Sequence, residues 1–480
     1  MELEQRTSLS RNYFFSILYQ LVALSMPLIT TPYLSRVLGA YGMGRFSYAG
    51  SIVSYFVLLA TFGTSLYGQR LIARVRHLPK VRTHFFVELF LLRVITTLIA
   101  IALYFGLVLP RCSDPLLYAV LGVEILGVAL DTSWFMQGME QFAPITLCAT
   151  VARVIAAVCV FTLVRDRNDL WIYAIVYVST QLLASLLLVF WVRRRTVRVK
   201  RWRPKLSAHA WLTTTLFAGS VAIGLYTALD KTMIGLITRS SAQNGYYEQA
   251  QRIVHVVVSM VTAMGVVVAS RVAALFKAKK KEELQQLLLR SFCLVFALSL
   301  PAAGGIALIA PRFVPIFLGP GFRPAVPILA VLALLVPIIG VSNVVGIQLF
   351  AATGREKQLA FSVGVGALCN LGLNLLLIPR YQALGAAIAS VVAELAVSAV
   401  QLFLARRDLP VGRVLLMGLR YLLFADVMVA LGLAAHLLLG EGILQLLLLI
   451  GGCALLYLLL LLAFRDPVFA ILSRRKGDQE

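Results

Sequence analysis

The stretch DLWIYAIVYVSTQLLASLLLVFWV (169–192), followed at once by RRRTVRVKRWRPK (193–205), decides what kind of protein this is. From Leu170 to Val192 there is no charged residue. At about 1.5 Å of rise per residue, such a run crosses a hydrocarbon core of about 30 Å as one helix. The second part is a hydrophilic basic loop of the sort that fixes a span end in the cytoplasm. Working outward, the same alternation fills the chain. Of 480 residues, 60% are hydrophobic and 14% charged, and the mean hydropathy is +0.88. Soluble domains carry about 25% charged residues, so a soluble enzyme, a disordered chain and a disulfide-stapled secreted domain are excluded. The net charge of +23 would suggest nucleic acid in a soluble chain. Here the basic residues sit in short loops between apolar runs, so the partner is the lipid bilayer and no nucleic acid is expected. Cys148, Cys159, Cys293, Cys369 and Cys453 lie inside apolar runs and Cys112 near a loop. They read as small span residues, not as disulfides or metal ligands.

The expected fold class is an all-α polytopic membrane protein with about fourteen transmembrane helices. They cover residues 13–35, 46–68, 85–109, 116–136, 143–164, 169–192, 211–237, 246–275, 286–310, 325–352, 359–379, 383–405, 414–439 and 442–464. The first run has no small-residue cleavage site after it and is taken as a span, not a signal peptide. With both termini on one side, that side collects Lys and Arg over the other by roughly three to one, which assigns the N and C termini to the cytoplasm. The longest loop, 193–210, is too short to fold by itself. There is no G-x-x-x-x-G-K-[ST] loop and no extramembrane domain to hold a nucleotide sugar. The expectation is a transporter and not an enzyme, with no cofactor and no metal.

An internal echo divides the chain. Gly44, Ala49, Ile52 and Val53 align with Gly245, Ala250, Ile253 and Val254 at an offset of 201 residues. Phe135, Gly138 and Glu140 are echoed by Phe350, Gly354 and Glu356. Both echoes shift the spans by six, and an even shift keeps topology, giving a parallel repeat. The expected organisation is a six-helix lobe at 1–192, a basic cytoplasmic linker at 193–210, a second six-helix lobe at 211–405, and spans 13–14 with a cytoplasmic tail at 406–480.

Charged groups inside spans are costly and face cavities or partners. Glu124 and Asp131 share a helix face. Glu248, Arg252, His255 and Ser259 form a polar stripe; Asp230 precedes Lys231, and Arg93, Arg153 and Glu394 stand alone in their spans. Each has a plain structural alternative. Glu248 and Arg252 have the spacing of an intrahelical ion pair, Arg93 is placed to snorkel, His255 suits a hydrogen-bonded structural histidine, and Asn370 with Asn374 suits interhelical bonding. Cavity arginines suit a phosphate or pyrophosphate, which a guanidinium grips with two hydrogen bonds.

The chain resembles the bacterial O-antigen and lipid-linked polysaccharide flippases of the multidrug/oligosaccharidyl-lipid/polysaccharide exporter superfamily. The stretches that carry the resemblance are PLITTPYLSRVLGAYGMGRFSYAGSIVSYF (27–56), WFMQGMEQF (134–142), LDKTMIGLITRSSAQNGYYEQAQRIV (229–254), LGPGF (318–322) and NLLLIPRYQALGAAIASVVAE (374–394). It implies inner-membrane translocation of an undecaprenyl-pyrophosphate-linked glycan by alternating access, coupled to an ion gradient, with polysaccharide polymerase and chain-length machinery as partners. It points to Arg36, Asp230, Lys231, Glu248 and Arg252; Arg153 is added from its depth in its span. Arg36, Arg153, Lys231 and Arg252 are the expected substrate-binding groups, and Glu124, Asp230 and Glu248 the expected coupling-ion groups. The alternatives are a drug exporter of the same superfamily, a membrane-embedded polymerase or ligase, and a scaffold for the polysaccharide machinery.

Overall fold

The computed structural model describes residues 2–197, 206–263, 265–438, 440 and 442–469. The middle of the basic linker and the C-terminal tail, residues 198–205 and 470–480, lie outside the described residues. Among the described residues there is helix and no strand, the outcome expected where lipid offers the backbone no hydrogen-bond partner. The helices are α1 (Glu2–Thr61), α2 (Thr64–Val75), α3 (Pro79–Leu103), α4 (Pro115–Leu130), α5 (Ser133–Gly138), α6 (Phe142–Leu163), α7 (Leu170–Arg193) and α8 (Leu206–Thr238). They continue with α9 (Ser241–Thr262), α10 (Gly265–Lys277), α11 (Lys281–Phe317), α12 (Ala325–Leu332), α13 (Leu335–Ser342), α14 (Glu356–Leu404), α15 (Val411–Leu438) and α16 (Ile443–Ala463).

Among the described residues, ten segments are long and apolar enough to cross a membrane, or eleven if the bent pair formed by α9 and α10 is one span. Two of the ten are far too long for one crossing. The 49 residues of α14 would run about 74 Å if straight. The backbone leaves helical geometry inside α14 at Gln382 (φ 53°) and inside α1 at Gly39 (φ 66°), so each divides into two arms. At Gln382 the break is a hairpin that follows Pro379. A side-chain carbon on Gly385 would stand 2.4 Å from the Leu377 carbonyl oxygen, so only glycine lets the two arms pass this closely.

Other expected spans are interrupted where polar groups or left-handed residues occur. The second breaks at Phe62 and Gly63 (φ 44° and 68°), and the fourth at Asp131, whose backbone is extended and ends α4. The tenth is assembled from α12, α13 and a π-helical segment, Asn343–Ala351. Short apolar windows do not register such breaks, since composition stays apolar across them.

Contacts divide the chain into two compact units, Met1–Thr232 and Met233–Glu480. The division falls inside α8, because its residue Thr232 bonds back to the first helix, through Ser51 Oγ at 3.0 Å and the Tyr55 hydroxyl at 2.9 Å. In the first unit, Trp134, Phe135 and Met136 of WFMQGMEQF are buried with Ile72, Leu89 and Leu188. Gly68 lies flat against the Trp134 ring, where a Cβ would sit 2.4 Å away. In the second unit, Gly319 of LGPGF turns the chain at φ 102° and seats the buried Phe322.

Polar contacts tie loops to loops. In the first unit Arg76 pairs with Glu140, and Arg82 donates to the Arg195 carbonyl at 2.7 Å. Arg45 pairs with Asp114, and the Tyr33 hydroxyl donates to the Val164 carbonyl at 2.6 Å. In the second unit Arg355 bridges both oxygens of Asp408, at 2.5 and 3.1 Å, and Arg312 donates to the His436 carbonyl at 2.6 Å. The arginine–carboxylate bridge holds Arg355 more firmly protonated than a free guanidinium. Each of these contacts joins loops or span ends that the alternation of spans puts on the same side. Outward faces carry leucines such as Leu98, Leu416 and Leu448, each more than half exposed, while Glu88, Arg93, Asn370 and Asn374 are buried. Apolar outside and polar inside is the distribution a lipid solvent selects.

Candidate functional site

The first unit encloses a cavity of about 390 Å³ walled by α1, α3, α4, α6 and α7, with α2 contributing Ser65. Four charged side chains line it: Arg93 from α3, Glu124 from α4, Asp131 from the end of α4, and Arg153 from α6. Two are cations and two are anions, so the cavity is formally balanced.

Arg93 does not snorkel. It is 3% exposed and turns inward. Its Nη1 donates to the Asp131 carbonyl at 2.9 Å, and its Nη2 to Ser65 Oγ at 3.2 Å and to Asp131 Oδ2 at 3.3 Å. The interruption of α4 at Asp131 makes this possible, because the extended residue exposes its carbonyl. The other carboxylate oxygen of Asp131 accepts from the Ser133 backbone N–H at 3.0 Å and starts α5. A buried guanidinium with a partly exposed carboxylate (Asp131 side chain 35%) is thus held at the cavity wall. Two turns earlier on the same face, Glu124 accepts from the Tyr177 hydroxyl of α7 at 3.5 Å. Arg153 stands half-buried on α6, with Thr180 and Gln181 of α7 on the facing wall. Arg153 and Glu124 therefore share the cavity with the Arg93–Asp131 pair.

Of the seven nominated residues, the cavity brings together Glu124 and Arg153. Arg36 is exposed in the first unit, three residues before the break at Gly39. Asp230, 5% exposed, and half-buried Lys231 lie on α8 next to Thr232, which bonds to Ser51 and Tyr55 of α1. Glu248 and Arg252 belong to the second unit and form the intrahelical pair that their spacing allowed, at 3.0 Å. His255 on the same helix is exposed. Asn374 donates to Asn370 within one helix at 3.0 Å, both wholly buried. Among the described residues no group of three or more His, Cys, Asp or Glu is arranged to hold a metal, and all six cysteines are free.

One buried pair carried no signal in the sequence. His209, four residues into α8, meets Glu88 of α3 at 2.7 Å, and its other ring nitrogen meets the Tyr67 hydroxyl at 3.0 Å. Their separation of 121 residues leaves no spacing rule to find them by. Glu88 lies only three residues into the expected span 85–109, and His209 just before the span 211–237, so neither stood out as a charge deep in a span.

The family described as "Polysaccharide biosynthesis protein" matches residues 9–270. A protein of Escherichia coli (strain K12) named "Putative O-antigen transporter" is 23% identical over 423 residues, covering 84% of this chain and 98% of its own length. A protein of the same name from Shigella dysenteriae is 21% identical over 376 residues, covering 77% and 92%. Among solved structures, the lipid II flippase MurJ in an inward closed conformation superposes with a TM-score of 0.77 at 16% identity, over 95% of this chain and all of its own. An inward-facing multidrug resistance MATE family transporter of the MOP superfamily gives 0.58 at 13% identity, over 81% and 98%. At these identities the structural likeness establishes the fold.

Proposed function

Because the chain belongs to the polysaccharide biosynthesis protein family, we propose that it is a flippase. It moves an undecaprenyl-pyrophosphate-linked oligosaccharide, an O-antigen repeat unit or a related glycan, from the cytoplasmic to the periplasmic leaflet of the inner membrane. The observation that carries the reading is the cavity with two guanidiniums and two carboxylates inside a unit whose outer face is leucine. Buried charge of this kind is expensive in a bilayer and persists where it serves a ligand or ion. The relatives' shared name and the fold of the lipid II flippase support the same class of cargo.

In this reading Arg36, Arg153, Lys231 and Arg252 offer positive charge to the pyrophosphate or to acidic sugars. Glu124, Asp230 and Glu248 take up the coupling proton, which weakens their hold on neighbouring cations and resets the site. The chain crosses the membrane fourteen times as two six-helix lobes plus spans 13–14, with both termini cytoplasmic. Three features support this topology: the division of α1 and α14 into arms, the loop-to-loop contacts between loops of one side, and matching helix breaks. Gly39 and Arg239 (φ 66° and 51°), 200 residues apart, each precede one copy of the repeated segment, and Glu140 and Gly354 (φ 56° and 75°) each lie within one copy of the second echo, at neighbouring but not aligned positions. Alternating access then rocks one lobe against the other, delivering the glycan towards polymerase and chain-length partners.

The test is complementation of a strain that lacks its own flippase, at matched membrane expression. Wild type is expected to restore surface polysaccharide, and Arg153→Ala, Lys231→Ala and Arg252→Ala to lose it. Restoration by all three variants would remove these residues as the substrate site. Export of cationic drugs with no effect on polysaccharide would overturn the cargo.

A further inference from the structure

The second unit carries its own cavity, of about 480 Å³, which the translocation reading does not use. It lies along the first half of α15, against α11 and the segment that follows α16. Its walls are apolar, with Leu416, Leu419, Leu423 and Phe424 among them, and two arginines stand in it, Arg413 and Arg420. Seven residues apart, they occupy one face of α15, about 10 Å along its axis.

A side-chain cluster places this cavity at a membrane border. Cys293, the thirteenth residue of α11, approaches the Tyr421 hydroxyl at 3.0 Å. That hydroxyl donates to Asp466 Oδ1 at 2.6 Å, just beyond the end of α16, and Arg420 pairs with Asp466 Oδ2 at 2.8 Å. The first half of α11, the first half of α15 and the segment just past the end of α16 therefore meet towards one end of the unit. Asp466 is 2% exposed, so it fixes Arg420, whose guanidinium also lies 5.5 Å from the Phe424 ring centre. Arg413 is exposed, and among the described residues its side chain meets no carboxylate. Two guanidiniums against one carboxylate leave the cavity positive. Leu416, Leu419 and Leu423 are 68%, 52% and 56% exposed, so the cavity opens on the face that meets lipid.

We propose that this cavity binds an anionic phospholipid of the cytoplasmic leaflet, with the headgroup phosphate at Arg413, steadied by Arg420, and an acyl chain along the leucines. Basic pockets between helices on the cytoplasmic side recognise such headgroups, and a guanidinium pairs with phosphate through two parallel hydrogen bonds. The walls favour membrane lipid over glycan cargo. Apart from the two arginines, their polar groups are the Tyr421 hydroxyl and the Cys293 thiol, already in contact with each other. The bound lipid would brace α15 against α11, a positioning role separate from cargo binding, and the site stands whatever the cargo proves to be.

The experiment uses the full chain in a zwitterionic detergent and measures binding of short-chain phosphatidylglycerol and phosphatidylcholine, with a short-chain polyprenyl pyrophosphate as competitor. Wild type and Arg167→Gln, an exposed arginine of the first unit, are expected to prefer phosphatidylglycerol by about fivefold, the worth of one arginine near an anionic headgroup. Arg413→Gln should abolish the preference, and Met417→Trp, which fills the apolar part, should weaken both lipids. A preference that survives Arg413→Gln, or is lost equally in Arg167→Gln, overturns the site in favour of general surface charge. Tighter binding of the polyprenyl pyrophosphate through Arg413 would reassign the cavity to the cargo lipid and also overturns the proposal.

Discussion

Arg93 holds the wall of the first-unit cavity through three hydrogen bonds, two of them to one residue. Removing one partner of a fully buried ion pair costs about 3–5 kcal/mol; here the carboxylate left behind is 35% exposed, so the loss falls below that range but still includes two hydrogen bonds to the Asp131 carbonyl and Ser65. Arg93→Ala should therefore lower the amount of folded protein in the membrane, whereas Arg153→Ala should leave it unchanged and lose transport. Fluorescence-detected size-exclusion profiles separate the two effects. The Glu88–His209 contact gives a second residue-scale prediction. His209→Ala takes the ring from a buried carboxyl and should cost about 1–3 kcal/mol, read as a fall in the unfolding midpoint in detergent. His209→Gln, which retains a donor, should recover part of it. Spacing along the chain made the Glu124–Asp131 face and the Glu248–Arg252 pair readable, because the first lies along α4 to the residue that caps it and the second within α9. Spacing could not reveal that Arg93 reaches Asp131 across 38 residues or that Glu88 reaches His209 across 121. Those partners depend on which helices are neighbours.

At the scale of elements, the helices are set by turns that need glycine and by close crossings that admit nothing larger. Gly385 and Gly68 differ in what a methyl group would strike: the Leu377 backbone carbonyl in one case, the Trp134 ring in the other, both at 2.4 Å. Backbone inside a hairpin cannot yield, while a ring can shift at a cost of about 1–3 kcal/mol. Gly385→Ala is expected to abolish monodisperse protein, and Gly68→Ala to lower the unfolding midpoint while leaving a folded monomer. Equal behaviour of the two variants would contradict this assignment of the hairpin. The apolar windows located nearly every helix, since a bilayer demands about twenty apolar residues in a row. They missed the breaks at Gly63 and Asp131 because an interruption of one or two residues barely changes a window's hydropathy.

At the scale of the molecule, the class of protein followed from composition alone, for no soluble core can hold 60% hydrophobic residues with leucines covering its outside. The sidedness rests on the bias of basic loops. It predicts that, in a cysteine-free background, Arg167→Cys reacts with an impermeant maleimide in intact spheroplasts, while Lys280→Cys reacts after permeabilisation. Labelling of both from outside would contradict the fourteen-span alternation. Function was legible only as a class, because charged residues scattered over several helices show neither which of them share a cavity nor what fills it. The central claim is translocation of a lipid-linked glycan through a charged interior. Its most direct measurement is a proteoliposome assay following how quickly a polyprenyl-pyrophosphoryl oligosaccharide in the inner leaflet becomes accessible to an external glycosidase. The account predicts accessibility within minutes for wild type, dependent on an imposed proton gradient, and a rate near protein-free vesicles for Arg153→Ala and Glu124→Gln. A wild-type rate no faster than empty vesicles, with the protein folded and correctly inserted, would contradict it.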